Sequence, residues 1–231
     1  MQRLQTSNTA ERWQAGQRLG SAPATEQARA ADDGLPAALA MLRSWRQTRP
    51  AAERCELCGA EIAEEHDHLF EPAERRVLCA CQACAILFDG RNLKFRRIRR
   101  RVERLHGFRC DDAQWESLNL PIDLAFFFTS SRSGNLTALY PSPAGAVEAA
   151  PSEAVWRELI DANPALSAME PDIEALLVNH VGAANNWYRA PIDECFKLVG
   201  VIRGHWRGLS GGTRVWGEID RFFQELNTRC R

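Results

Sequence analysis

Cys55-Glu-Leu-Cys58-Gly59 opens a thirty-residue stretch that closes on Cys79-Ala-Cys81-Gln-Ala-Cys84, and this stretch holds five of the chain's eight cysteines. Two C-x-x-C pairs, Cys55/Cys58 and Cys81/Cys84, stand 22 residues apart. Paired thiolates at such spacing are the sequence form of two turns gripping one tetrahedral ion. Each pair offers two soft ligands from one short loop. Gly59 lets the chain reverse after Cys58 because it has no Cβ to clash.

The ion predicted for Cys55, Cys58, Cys81 and Cys84 is zinc. The same four thiolates suit iron in a rubredoxin-like centre, since tetrahedral sulfur accommodates both metals. Three further residues are alternates. Cys79 could pair with Cys84 in place of Cys81, and His66 and His68, in the run His-Asp-His, could replace a thiolate. With four thiolates in place, Cys79 is a buried thiol beside the site and the two histidines surround it.

The chain has 231 residues, 45% of them apolar, and a formal net charge of −1. That length suits one good-sized domain or a small module joined to a larger one. Near-neutrality removes any global bias towards polyanions. Eight cysteines are few for a secreted disulfide scaffold of this size. The first ten residues lack an apolar signal core, and no run reaches 18 uncharged apolar residues. Together these features predict a cytoplasmic protein without a membrane span, whose thiols stay reduced.

Residues 1–33 are polar and small, and read as a disordered tail. Residues 34–50 read as a lead-in helix, with Leu35, Leu39, Leu42 and Trp45 at helical spacing. Residues 51–90 form the metal module, with a strand over Arg76–Cys79 entering the second cysteine pair and another over Ala85–Phe88 leaving it. Residues 91–105 then carry eight Lys or Arg and one Glu. Phe95, Ile98, Val102 and Leu105 recur at steps of three and four, which predicts a basic amphipathic helix. Such a segment suits nucleic acid, an acidic lipid surface or an acidic protein. The near-neutral total and the lack of aromatic stacking platforms favour acids elsewhere in the chain as its counterweight.

The remainder of 91–231 reads as an α+β domain. A capped helix follows Asp111, and apolar runs at 124–128 and 136–140 make a hairpin that ends in a break at 141–145. Ser152 starts a helix carrying Trp156, Leu159 and Ile160, which Asn163-Pro164 stops. Residues 173–178 and 187–190 make a second hairpin. Helices at 191–207 and 213–227 follow, the first with Cys195, Leu198, Val199 and Ile202 on its inner stripe. The fold class is therefore α+β: a small zinc-ribbon-like module, then a domain of short antiparallel strands covered by helices. There is no Gly-rich phosphate loop, no G-x-S-x-G and no H-E-x-x-H. His106, His180 and His205 stand alone, as do Cys110 and Cys230, so no catalytic constellation is legible.

The serial motifs Cys55-Glu-Leu-Cys-Gly, His66-Asp-His-Leu, Leu78-Cys-Ala-Cys-Gln-Ala-Cys, Leu124-Ala-Phe-Phe-Phe, Tyr140-Pro-Ser-Pro-Ala-Gly, Glu170-Pro-Asp-Ile-Glu and Pro191-Ile-Asp carry a resemblance over roughly 52–228. The chain resembles an uncharacterised bacterial family with an N-terminal zinc-ribbon or rubredoxin-like module. Its members are often encoded beside uptake nickel–iron hydrogenase genes of the high-affinity, actinobacterial type. The resemblance implies a hydrogenase context, with an accessory role in assembly or electron transfer. Taken with the cysteine pairs, the expectation is a non-enzymatic accessory protein with structural zinc, whose partner is a hydrogenase subunit or maturation factor. The alternatives are a rubredoxin-like electron carrier and, after it, a nucleic-acid-binding zinc ribbon.

Overall fold

The computed structural model describes residues 53–90, 94–208 and 211–230. The tail at 1–33 and the lead-in helix at 34–50 lie outside the described residues. Among the described residues fifteen elements run in the order β1 (Asp67–Glu71), β2 (Arg76–Ala80), α1 (Gln82–Leu87), β3 (Arg96–Arg97), β4 (Glu103–Arg104), α2 (Asp112–Ser117), β5 (Leu124–Thr129), β6 (Leu136–Ser142), β7 (Gly145–Ala149), α3 (Glu153–Ala162), α4 (Pro164–Ser167), β8 (Glu174–Asn179), β9 (Asn186–Pro191), α5 (Ile192–His205) and α6 (Gly212–Arg229).

The architecture is α+β. A six-stranded sheet in the order β4-β9-β8-β5-β6-β7 has antiparallel neighbours throughout. Its two central strands are apolar on both faces, and side chains alternate between two cores. On β5, Leu124, Phe126 and Phe128 join the layer of α5 and α6, while Ala125 and Phe127 join Trp156 of α3 and Leu166 of α4. On β8, Ala175 and Leu177 face the first layer and Leu176 and Val178 the second. Helices on both faces explain why these runs are solidly apolar rather than alternating. Phe127 stacks on Trp156 at 5.3 Å between ring centroids. Each such fully buried ring contributes about 2–3 kcal/mol through area removed from water.

The sheet is wider than two hairpins. The 141–145 break is instead a tight turn, with Ser142 opposite Gly145 and Pro141 opposite Ala146, so β7 adds a strand. Pro141 fits because β5 pairs with β6 only over Leu136–Leu139, so no ladder bond on that side needs its missing N–H. Asn163-Pro164 ends α3, but Pro164 then starts the short α4.

A smaller sheet, β2-β1-β3, carries the cysteine-rich stretch. Here β1 serves two cores by alternation. Leu69 packs with Leu78, Ala80, Ala85 and Phe95, whereas Phe70 enters the large core and meets Phe128 edge-on at 6.4 Å. Residues 94–105 are not helical. They run extended, pairing with β1 through β3 and with β9 through β4. Their apolar steps are satisfied without a helix, since Phe95, Ile98 and Val102 are all buried in the extended form. The arginines are held by carboxylates: Arg96 by Glu170, Arg97 by Asp67, Arg100 by Glu65 and Arg101 by Glu103. The run Ala85–Phe88 is likewise not a strand, because α1 begins directly after Cys81. Among the described residues no helix is long and apolar enough to cross a membrane.

Candidate metal centre

Two local structures bring four sulfurs together. The first is the turn around Cys55 and Cys58. The Gly59 N–H donates to the Cys55 carbonyl at 2.8 Å, and the Cys55 N–H donates to the Ala60 carbonyl at 2.8 Å. Gly59 sits at φ +75°, a conformation that favours glycine. Arg54 clamps the turn from outside, donating to the Gly59 carbonyl at 3.0 Å and pairing with Glu61 at 3.2 Å. A Cβ on residue 59 would meet nothing within 4 Å, so Gly59→Ala carries a backbone penalty alone. The expected cost is about 1–2 kcal/mol. Chemical denaturation read beside metal content checks this, with the metal retained.

The second structure is the start of α1. Cys81 is its N-cap, and its sulfur accepts from the Cys84 N–H at 3.5 Å. The Ala85 N–H donates to the Cys81 carbonyl at 2.9 Å, closing the first turn so that the sulfurs three residues apart share one side. Two bonds stitch the halves together. The Glu56 N–H donates to the Cys79 carbonyl at 2.9 Å, and the Cys79 N–H donates to the Glu56 carboxylate at 2.7 Å.

The sulfurs of Cys55, Cys58, Cys81 and Cys84 all lie within 4.8 Å of one another. Cys58 and Cys81 are 3.7 Å apart, sulfur to sulfur. Zn–S bonds of about 2.3 Å give a tetrahedral edge of about 3.8 Å, so the donor set fits such an ion. Cys55 and Cys84 are buried in the small core, while Cys58 is exposed and Cys81 half-buried. The ionisation of the cluster points the same way. Burial opposes charge on Cys55, but N–H groups of Cys81, Cys58 and Leu57, with the Cys58 thiol, outweigh it and bring the pKa down to about 6. Cys84 is pushed up to about 12, by burial first and then by its bonds to the other thiols and the charge of Cys55. Cys84 by itself therefore resists ionising beside a charged Cys55, and a cation among the four sulfurs would supply the missing compensation.

His66, His68 and Cys79 stand as a separate group, with their donor atoms within 4.8 Å of one another. The other cysteines belong to the packing. Cys195 is fully buried in the large core, and burial holds its thiol well above the ordinary value. Cys110 packs against the second core, and burial, reinforced by Asp111 and Asp112, raises it to about 11. The Cys230 thiol donates to the Leu226 carbonyl. His180 stacks on Trp115 at 5.0 Å, and His205 donates through Nδ1 to the Val201 carbonyl at 3.0 Å.

The sequence reading missed one residue that bears on these groups. Asp193, in the first turn of α5, accepts from His68 at 2.7 Å across 125 positions of sequence. Only its place in Pro191-Ile-Asp hinted at it.

Residues 54–230 match the family described as "Family of unknown function (DUF5947)", and the chain belongs to that family. The match begins one residue before Cys55 and takes in both groups of donors. No curated protein and no solved structure matches the chain.

Proposed function

We propose that this member of the family is a non-enzymatic accessory protein. In this reading Cys55, Cys58, Cys81 and Cys84 hold one structural zinc ion, and the surface that the ion pins is offered to another protein. The observation that carries the reading is the convergence of four sulfurs from a clamped turn and a helix start, at tetrahedral spacing. Zinc supplies charge and geometry there and no redox chemistry. The short helix that carries Cys84 also exposes Ile86 and Leu87, at 60% and 71%, with Phe88 beside them. Apolar side chains displayed on a metal-fixed helix support a protein partner. The resemblance to proteins encoded beside nickel–iron hydrogenase genes supports a hydrogenase subunit or maturation factor as that partner.

The polyanion reading loses support, since Arg96, Arg97, Arg100 and Arg101 are already engaged by carboxylates. Iron in place of zinc remains a second reading, favoured by the exposure of Cys58, through which an electron could reach a partner.

Elemental analysis of purified protein, with co-expressed hydrogenase subunits and maturation factors, tests the proposal. A colourless zinc protein that retains one of them, and loses it on Leu87→Glu, is the expected result. A red iron protein with a reversible potential supports the electron carrier instead. Zinc with none of those proteins retained removes the accessory role.

A further inference from the structure

We propose that His66, His68 and Cys79 form a second metal-binding site, separate from the four-sulfur cluster, for a borderline-soft divalent ion such as zinc. The register of the small sheet assembles it. His66 immediately precedes β1 and His68 is its second residue, so the two, two positions apart, project to one face, and His68 is paired directly across the ladder with Cys79. Two imidazoles and a thiol thus share a side of one hairpin, and the two rings meet edge to face at 4.8 Å.

The hydrogen bonds around the rings fix what the inner nitrogens offer. The His66 Nδ1 lies 2.9 Å from the Ala63 carbonyl oxygen, which can only accept, so Nδ1 carries the hydrogen. A Glu53 carboxylate oxygen stands 3.3 Å from the same nitrogen. The His68 Nδ1 lies 2.7 Å from the Asp193 carboxylate and donates to it. Both Nε2 atoms are then left with lone pairs, and they face each other at 3.1 Å. Two lone pairs that close repel unless a cation lies between them or one ring takes a second proton.

A metal ion satisfies the whole arrangement. Metal-bound histidines characteristically donate their other ring N–H to a carboxylate or a backbone carbonyl, and His68 and His66 do one each. Zn–N bonds of about 2.0–2.1 Å put two nitrogens about 3.3 Å apart in a tetrahedral site, close to the spacing found. Cys79 supplies the soft third ligand, releasing its thiol proton as the ion binds, with its sulfur within 4.8 Å of a nitrogen of each ring. Three protein ligands leave a fourth position for water. Beside His66 lies an open cleft of 480 Å³, lined also by Ala63, Glu65, Gln82 and Arg100. Because Asp193 belongs to α5, an ion here ties the hairpin to the large domain.

Zinc titration of the full chain against a competing chelator tests the site, with bound zinc counted per chain. Two ions are expected for the unaltered protein and one for the double variant His66→Ala/His68→Ala. Cys79→Ser is expected to lose the same ion. Asp193→Asn, which keeps the shape and removes the charge, is expected to weaken that ion about 10–100-fold. It carries the test if the double variant fails to fold. Cys58→Ser is expected to keep one ion at the histidines, which separates this site from the four-sulfur cluster. A single ion in the unaltered protein, indifferent to the histidine variants and to Asp193→Asn, overturns the proposal and leaves a shared proton between the rings. Two ions that survive His66→Ala/His68→Ala overturn it equally.

Discussion

Cys58→Ser is expected to remove one bound ion per chain and to loosen the knuckle and α1, while the six-stranded sheet keeps its structure. The small core explains the size of the effect. Its buried members are Cys55, Leu69, Leu78, Ala80, Cys84, Ala85 and Phe95, and two of the seven belong to the proposed donor set. So few apolar side chains cannot stabilise a module of this size, and small metal domains make up the difference by coordination. Structural zinc contributes an apparent 10 kcal/mol or so to folding at neutral pH, far more than the remaining core can replace. Cys58 is the exposed cysteine of the four, so serine there disturbs little packing and reports on coordination. Amide exchange gives the spatial readout. Protection is expected to fall at Cys55, Gly59 and Ala85, whose N–H groups close the two turns. It is expected to persist at Phe126 and Leu177 in the middle of the large sheet. Retention of the ion with unchanged exchange at the turns would mean that Cys58 is not a ligand.

The cysteine pairs were legible because their geometry is local. A C-x-x-C turn followed by glycine specifies its own shape, and Gly59 adopts the positive φ that the sequence implied. The central strands were legible for a related reason. Leu124–Phe128 and, after Glu174, Ala175–Val178 are short, uniformly apolar runs that suit strands covered on both sides. The periodic stripes of α5 and α6 were equally plain.

What stayed hidden depended on partners distant in sequence. Phe95, Ile98 and Val102 have helical spacing, yet strand pairing to Leu69 and Phe70 and carboxylates at 65, 67, 103 and 170 hold the segment extended. Local period loses to tertiary pairing when both bury the same residues. His66 and His68 could be seen as a pair, but their relation to Cys79 follows only from the β1–β2 register. Ala85–Phe88 looked like a strand because nothing local announces that Cys81 caps a helix while also pointing its sulfur at three others.

Arg96→Met is expected to destabilise the protein by about 3–5 kcal/mol, the usual cost of removing one partner of a buried ion pair. The Arg96 side chain is 8% exposed and lies on β3, opposite Phe70 of β1. Its guanidinium reaches across to the turn before β8. There it donates to Glu170 at 2.6 Å and to the Pro171 carbonyl at 3.1 Å, and stands 3.6 Å from the Asp172 carboxylate. Asp172 is 1% exposed and holds φ at +69°, so the turn is both buried and conformationally demanding. One of its oxygens accepts from the Ser131 N–H at 2.9 Å, and the other has no hydrogen-bond partner. The Arg96 cation is what balances that oxygen, and methionine would leave it buried beside no positive charge. Methionine keeps most of the apolar stem, so the loss measures charge rather than packing. Arg96→Lys should recover only part of it, because lysine lacks the rigid planar fork that reaches Glu170 and the Pro171 carbonyl through two separate nitrogens. Urea unfolding of Arg96→Met, Asp172→Asn and the double variant gives the coupling directly. The double variant should be more stable than the sum of the single losses predicts, since each change removes the charge that the other strands. A loss under about 1 kcal/mol for Arg96→Met, in the range of an exposed ion pair, would mean that water reaches this pair and that Arg96 does not fasten the small sheet to the large one.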